Sequence, residues 1–110
     1  MKLDMPIDLM EMQAEKAASF LKSMANKHRL MVLCALFDGE RSAGELARQL
    51  GTKQPNTSQH LFKLRAEGLV ETRREAQTIY YRLASDDMKP IIEHLYRLFC
   101  KVPEQPADRG

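Results

Sequence analysis

The stretch Ser42 to Gly68, SAGELARQLGTKQPNTSQHLFKLRAEG, constrains this chain more than any other. Ser42 and Glu45 stand at S-x-x-E spacing, a capping box in which each side chain satisfies a backbone N–H that a helix start leaves orphaned. Leu46, Ala47 and Leu50 give the following helix one apolar face, and Gly51 can take the left-handed conformation that ends it. A second helix starts after Thr52-Lys53, tolerates Pro55 in its first turn and runs to Gly68. Two helices joined by about three or four residues around a glycine form a helix-turn-helix.

The flanking sequence supplies the rest of a domain. Residues 1–7, with Pro6, read as a loose arm. From Asp8 to about Met24, residues Met10, Ala14, Ala17, Leu21 and Met24 recur at helical spacing, and Leu9, Met12 and Phe20 widen the stripe. Lys27–Phe37 reads as the next helix. Its segment Leu30–Phe37, LMVLCALF, is apolar all round and is expected to be buried on every side. Asp38-Gly39-Glu40-Arg41 reads as a turn. After Gly68 the period changes to two: Leu69–Arg74 and Thr78–Leu83 read as strands joined at Glu75-Ala76-Gln77, with Ile79, Tyr81 and Leu83 on one face. A last helix starts at Asp86 or Asp87, accepts Pro90 in its first turn and runs to about Lys101, where Val102-Pro103 ends it.

That last helix carries Met88, Ile91, Leu95 and Phe99 in one stripe, extended by Ile92, Tyr96 and Leu98. This is more apolar circumference than one small core needs. With the Met- and Ala-rich first helix it points to a homodimer joined through the terminal helices. Residues 1–103 thus read as one mainly α domain with a β-hairpin wing, in the order α1-α2-α3-α4-β-β-α5, a winged helix-turn-helix. The tail 104–110 reads as disordered.

Charge distribution says more than the net charge of +2. Residues 1–52 carry seven basic and seven acidic side chains, and residues 83–110 sum to −1. Residues 53–82 carry six basic and three acidic side chains, so +3 is concentrated on the second helix of the motif and the hairpin. A local positive segment suits phosphate contact. On the second helix, Leu61, Leu64 and Thr57 fall on the inward face at 100° per residue. Asn56, Gln59 and Lys63 fall opposite, Gln54 lies at the N-terminal end, His60 on a flank, and Ser58 near the boundary within reach of a phosphate. Asn and Gln can bond adenine edges in pairs, and Lys can meet guanine or phosphate. Arg73, Arg74, Gln77 and Thr78 on the hairpin are candidates for backbone or minor-groove contact. The sequence therefore points to double-stranded DNA as a partner.

Other classes are disfavoured. No Ser/His/Asp set, phosphate-cradling glycine loop or paired carboxylates suggests an enzyme. The longest apolar run is eight residues, against the roughly 20 that span a bilayer, so no membrane partner is expected. Asp4, Asp8 and Glu11 interrupt any signal-peptide pattern, which predicts a cytoplasmic protein with reduced thiols. Two cysteines, Cys34 and Cys100, stand 66 residues apart. On residue type alone both read as buried structural thiols.

The segments MANKHRLMVLCAL, GELARQLG and TSQHLFKLRAEGLVETRREAQTIYYRL, with the terminal helix, resemble the ArsR family of bacterial winged-helix transcriptional repressors over roughly residues 15–101. The resemblance implies a homodimer on a palindromic operator that is released when an inducer binds. Two-fold symmetry then sets recognition helices about 34–36 Å apart. The family often begins its recognition helix with Ser-Gln-Ser, where this chain has Lys53-Gln54-Pro55.

Many members bind metals, but the pattern here does not match. The C-x-C position near the third helix reads Ser42-Ala43-Gly44-Glu45, and the last helix offers Asp86, Asp87 and one histidine, His94, short of the four ligands zinc wants. No metal or cofactor is expected. A cysteine pair at Cys34 and Cys100 is instead similar to the BigR, SqrR and HlyU subgroup. By that likeness, reactive sulfur species or an oxidant would bridge the two thiols and release DNA, with Cys100, beside Lys101, attacking and Cys34 resolving. Two other readings stay open: a metalloid or heavy-metal sensor using the same cysteines, and an anti-repressor that displaces another DNA-binding protein.

Overall fold

The computed structural model describes residues 4–100, the Cys100 side chain excepted. The tail expected at 104–110 and the helix end expected at 101–103 lie outside the described residues. The elements are α1 (Ile7–Met24), α2 (Lys27–Ala35), β1 (Arg41–Ser42), α3 (Ala43–Leu50), α4 (Gln54–Ala66), β2 (Val70–Glu75), β3 (Thr78–Leu83) and α5 (Met88–Leu95). A single π-helical turn, Tyr96–Cys100, continues α5. The architecture is a winged helix-turn-helix.

The helix-turn-helix forms for the reasons its sequence gives. Ser42 Oγ accepts from Glu45 N–H at 3.1 Å, and Glu45 Oε1 accepts from Ser42 N–H at 2.8 Å, closing the capping box. That hydrogen bond from the Ser42 backbone holds the Glu45 carboxyl below its ordinary range. Gly51, at φ 68°, ends α3 in the left-handed conformation. The α4 N-cap, Lys53, offers no side-chain hydrogen bond. The turn is fastened instead by the Thr52 and Thr57 hydroxyls, 2.6 Å apart. Gly68, at φ 80°, lets Leu69 N–H reach Leu64 C=O at 2.9 Å and turns the chain into β2.

Leu33, Leu46, Leu61 and Leu64 are completely buried, and Val32, Leu36, Leu69, Val70, Met88 and Ile92 close the core around them. Burying such side chains stabilises by about 1.5–3 kcal/mol each. Two expectations need correction. The apolar run in α2 is not buried on every side, because Leu30, Met31, Cys34 and Phe37 are only half-buried. The helix also ends at Ala35, with Leu36 as its cap. And the segment read as a turn before the motif contains a strand: Arg41 and Ser42 pair antiparallel with Tyr81 and Tyr80, giving a sheet of order β1-β3-β2. The hairpin itself runs in the register Val70↔Leu83 to Glu75↔Thr78, so its connection is Ala76-Gln77, with Ala76 at φ 55°.

The terminal helices remain largely uncovered. In α1 only Ser23 and Met24 are buried, while Ile7, Met12 and Leu21 stand more than half exposed. At the other end Leu98 and Phe99 are 60% and 79% exposed. The radius of gyration is 16.9 Å, against about 13 Å for a compact domain of this size. Much of the chain's apolar surface is therefore left for another partner.

Candidate nucleic-acid interface and cysteine cavity

The outward side of α4 is mostly polar and contains no acidic residue. Gln54, Asn56, Gln59 and Lys63 are exposed, Ser58 is half-buried, and Thr57 is buried, as the 100° spacing predicts. Gln54 and Ser58 meet the wing residues Gln77 and Thr78 across a groove of about 410 Å3, which Ser42, Gly44 and Tyr81 also line. The groove has no acidic side chain, and it brings the start of α3, the start of α4 and the wing to one surface. Ser42, Ala43, Gly44, Ile79 and Tyr81 line this groove without having been expected on the DNA-facing surface. They come from separate elements, and only the fold joins them.

His60 does not share that surface. Its ring stacks on His28 of α2, with centroids 5.4 Å apart and planes inclined by 21°. Its Nδ1 is buried without a hydrogen-bond partner. Burial, aided by repulsion from His28, Arg29 and Lys63, holds the His60 imidazole below its ordinary pKa. At 300° from Thr57 it lies on the flank of α4 where it is expected, lining one cavity with His28 of α2 and with Asn56 and Gln59.

The two wing arginines also differ. Arg73 Nε donates to both Glu40 oxygens at 3.2 Å, and Nη1 donates to Glu75 Oε2 at 2.7 Å. Its guanidinium lies 4.8 Å from the Tyr80 ring centroid. These bonds, led by Glu40, raise the Arg73 pKa further above its ordinary value, and Arg73 in turn lowers that of Glu40. Arg73 is thus engaged in fastening the wing to the loop before β1. Arg82 is likewise paired, Nε to Glu71 Oε1 at 2.8 Å. Arg74, Lys53, Lys63 and Arg65 make no ion pair among the described residues. They are the four cations of residues 53–82 without an ion pair among the described residues.

Cys34 is half-buried on α2 and packs against the core. It opens into a cavity of about 390 Å3 lined by Phe37, Asp38, Ile92, Glu93 and Tyr96. That volume falls within the range of small-molecule sites. The cavity therefore sits between α2, which leads into the motif, and α5 with the turn that continues it. Tyr96, four residues before Cys100, opens the π-helical turn. The Cys100 side chain lies outside the described residues. No three His, Cys, Asp or Glu side chains converge to hold a metal among the described residues. His94 is exposed.

A helix-turn-helix with a cation-bearing polar helix and an adjoining wing is the architecture of DNA-binding transcriptional regulators. Residues 26–72 match the model of the bacterial regulatory protein arsR family. The chain is 50% identical over 98 residues to the transcriptional activator HlyU of Vibrio cholerae, covering 87% of this chain and 91% of that one. The reduced HlyU structure matches at a TM-score of 0.78 with 51% identity, over 84% of this chain and 97% of that one. The biofilm growth-associated repressor of Agrobacterium fabrum is 47% identical over 102 residues, 93% of this chain and 86% of that protein. A homodimeric winged helix-turn-helix DNA-binding domain from Mycobacterium bovis matches at 0.72 with 29% identity, over 89% and 95%. The chain belongs to the ArsR family.

Proposed function

We propose that this chain is a cytoplasmic, homodimeric repressor that leaves a palindromic operator when Cys34 and Cys100 are bridged by reactive sulfur or another oxidant. The observation that carries the reading is the cavity in which Cys34 meets Tyr96, one turn before Cys100. The uncovered apolar faces of α1 and α5 supply the dimer contact, and the relatives include a homodimeric domain.

The chemistry balances with a persulfide as the oxidant. Cys100, as thiolate, attacks the outer sulfur of R–S–SH. It becomes Cys100–S–SH, and R–SH leaves. Cys34, as thiolate, then attacks Cys100 Sγ itself, the Sγ–SH bond breaks, and the outer sulfur leaves as hydrogen sulfide. The protein dithiol loses two electrons and two protons, and the outer sulfur is reduced to hydrogen sulfide. A second persulfide reacting before closure leaves one extra sulfur in the bridge, with release of another R–SH. A direct disulfide needs Cα atoms about 4.4–6.8 Å apart, whereas the longer bridge tolerates more. Because α2 leads into the motif and α5 faces the partner, a bridge ties interface geometry to the spacing of the two α4 helices. Couplings of this kind are worth about 1–3 kcal/mol, roughly 5–150-fold in affinity.

The test is an operator titration with reduced protein, repeated after glutathione persulfide, peroxide, arsenite or zinc. Release by persulfide or peroxide, abolished in Cys34→Ser and Cys100→Ser, supports the reading. Release by arsenite or zinc alone assigns the cysteines to metal sensing. The likeness to HlyU, an activator, favours a second sense of action, in which DNA binding displaces another repressor. Transcription assayed with and without a competing repressor on the same operator separates the two.

A further inference from the structure

The outward side of α4 carries one large apolar side chain. Phe62 is 73% exposed. It contributes nothing to the core, which α4 supplies through Leu61 and Leu64. On the helix it lies three residues past Gln59 and four past Ser58, so it stands one turn further along their side. Its sequence neighbour Lys63 and nearby Arg65 make no ion pair among the described residues. A single large apolar side chain, with only Pro55 and Ala66 as apolar company among amides, hydroxyls and cations, is a poor protein-docking patch but is well placed against a polyanion that carries an apolar feature. The major groove of DNA has one such feature, the 5-methyl group of thymine, and Phe is among the side chains that pack on it. From Gln54 to Phe62 is eight residues, about 12 Å along the helix axis, or between three and four base steps at about 3.4 Å.

We infer that Phe62 is a specificity-determining residue that packs on a thymine methyl in each half-site, beside the bases met by Gln59 and Ser58. The inference rests on α4 lying in the major groove, as proposed above. Phe62 adds a requirement for thymine over cytosine that amide hydrogen bonds do not impose at that position.

The test uses the reduced full-length chain. Duplexes are first selected from a randomised pool, and each thymine of the selected operator is then replaced by deoxyuridine, which differs only in lacking the methyl. The wild type should lose about four-fold affinity per half-site at one symmetric position, the worth of one buried methyl-sized group. Phe62→Ala, which folds because the side chain is exposed and Ala is the best helix former, should bind the thymine and deoxyuridine operators equally. No methyl-sensitive position in the wild type, or equal sensitivity in Phe62→Ala, overturns the inference while leaving DNA reading by α4 intact. A Phe62→Ala chain that keeps its methyl discrimination but changes its sedimentation overturns it too, and makes Phe62 a protein contact. If the wild type selects no duplex, the DNA-reading assignment itself fails.

Discussion

His28 and His60 stack between α2 and α4, with ring centroids 5.4 Å apart, and the His60 Nδ1 is buried without a partner. Beside them lies a cavity of about 110 Å3 that Val32, Leu50 and Thr57 help to line. The recognition helix is thus seated on its support through a ring that resists protonation.

This seat predicts an acid-sensitive fold. Burial, then repulsion from His28, Arg29 and Lys63, lowers the His60 pKa in the folded chain. As the pH falls, the unfolded chain, whose imidazole titrates near about 6.5, takes up the proton first. The contribution of His60 is therefore whole above about pH 6.5 and is lost as the pH falls through that value towards the lower folded pKa. Thermal unfolding between pH 7.5 and pH 5.5 should show a larger loss for wild type than for His60→Gln. Equal losses would remove His60 from the account.

The Thr52–Thr57 hydroxyl pair predicts the effect of an isosteric change. Thr57 is 2% exposed, and Thr57→Val keeps its shape but strands the Thr52 hydroxyl. The expected loss is about 1–2 kcal/mol in urea unfolding, with an unchanged m-value.

The unequal engagement of the wing arginines predicts unequal salt dependence. Arg74→Ala should weaken binding to every duplex and lower the slope of log K against log salt by about 0.9 for the phosphate contact it removes. Arg73→Ala should move that slope less and instead destabilise the wing, because Glu40 and Glu75 already hold its guanidinium. Gln59→Ala should flatten the base preference at one position by about 1–3 kcal/mol. Titrations of all three variants from low to physiological salt check this.

The uncovered face of α5 predicts how the assembly fails. Ile91 is 38% exposed while its neighbour Ile92 is in the core. Ile91→Arg should weaken the dimer by about 1–2 kcal/mol from lost apolar burial alone, since two-fold symmetry counts each lost side chain twice. Sedimentation should show monomers with wild-type helix content and parallel loss of operator binding. A stable dimer of Ile91→Arg would move the interface elsewhere.

What the sequence revealed was local, and what it hid was long-range. The α3 boundaries follow from the Ser42–Glu45 box and Gly51, and the burial of Thr57 follows from helical spacing. β1 was hidden because two residues have no period, and Arg41 becomes a strand only when Tyr81 arrives to pair with it. The α2 run looked buried all round because periodicity cannot say that one side of it opens onto a cavity. The stacking of His60 on His28 is not legible because the two rings lie 32 positions apart in sequence. The bonds from Arg73 to Glu40 are not legible because Glu40 lies 33 positions upstream. The change to π-helical geometry at Tyr96 has no sequence signature of its own.

The most direct test of the thiol switch follows bridge formation and DNA release in one sample. Reduced protein on its operator is treated with increasing glutathione persulfide. At each step peptide mass spectrometry measures the Cys34–Cys100 cross-link, and anisotropy measures bound DNA. Bound DNA should fall in proportion to the cross-link, with hydrogen sulfide released, and Cys34→Ser should retain DNA while accumulating a Cys100 persulfide. DNA that leaves before any cross-link appears, or stays bound when both thiols are bridged, would contradict the switch.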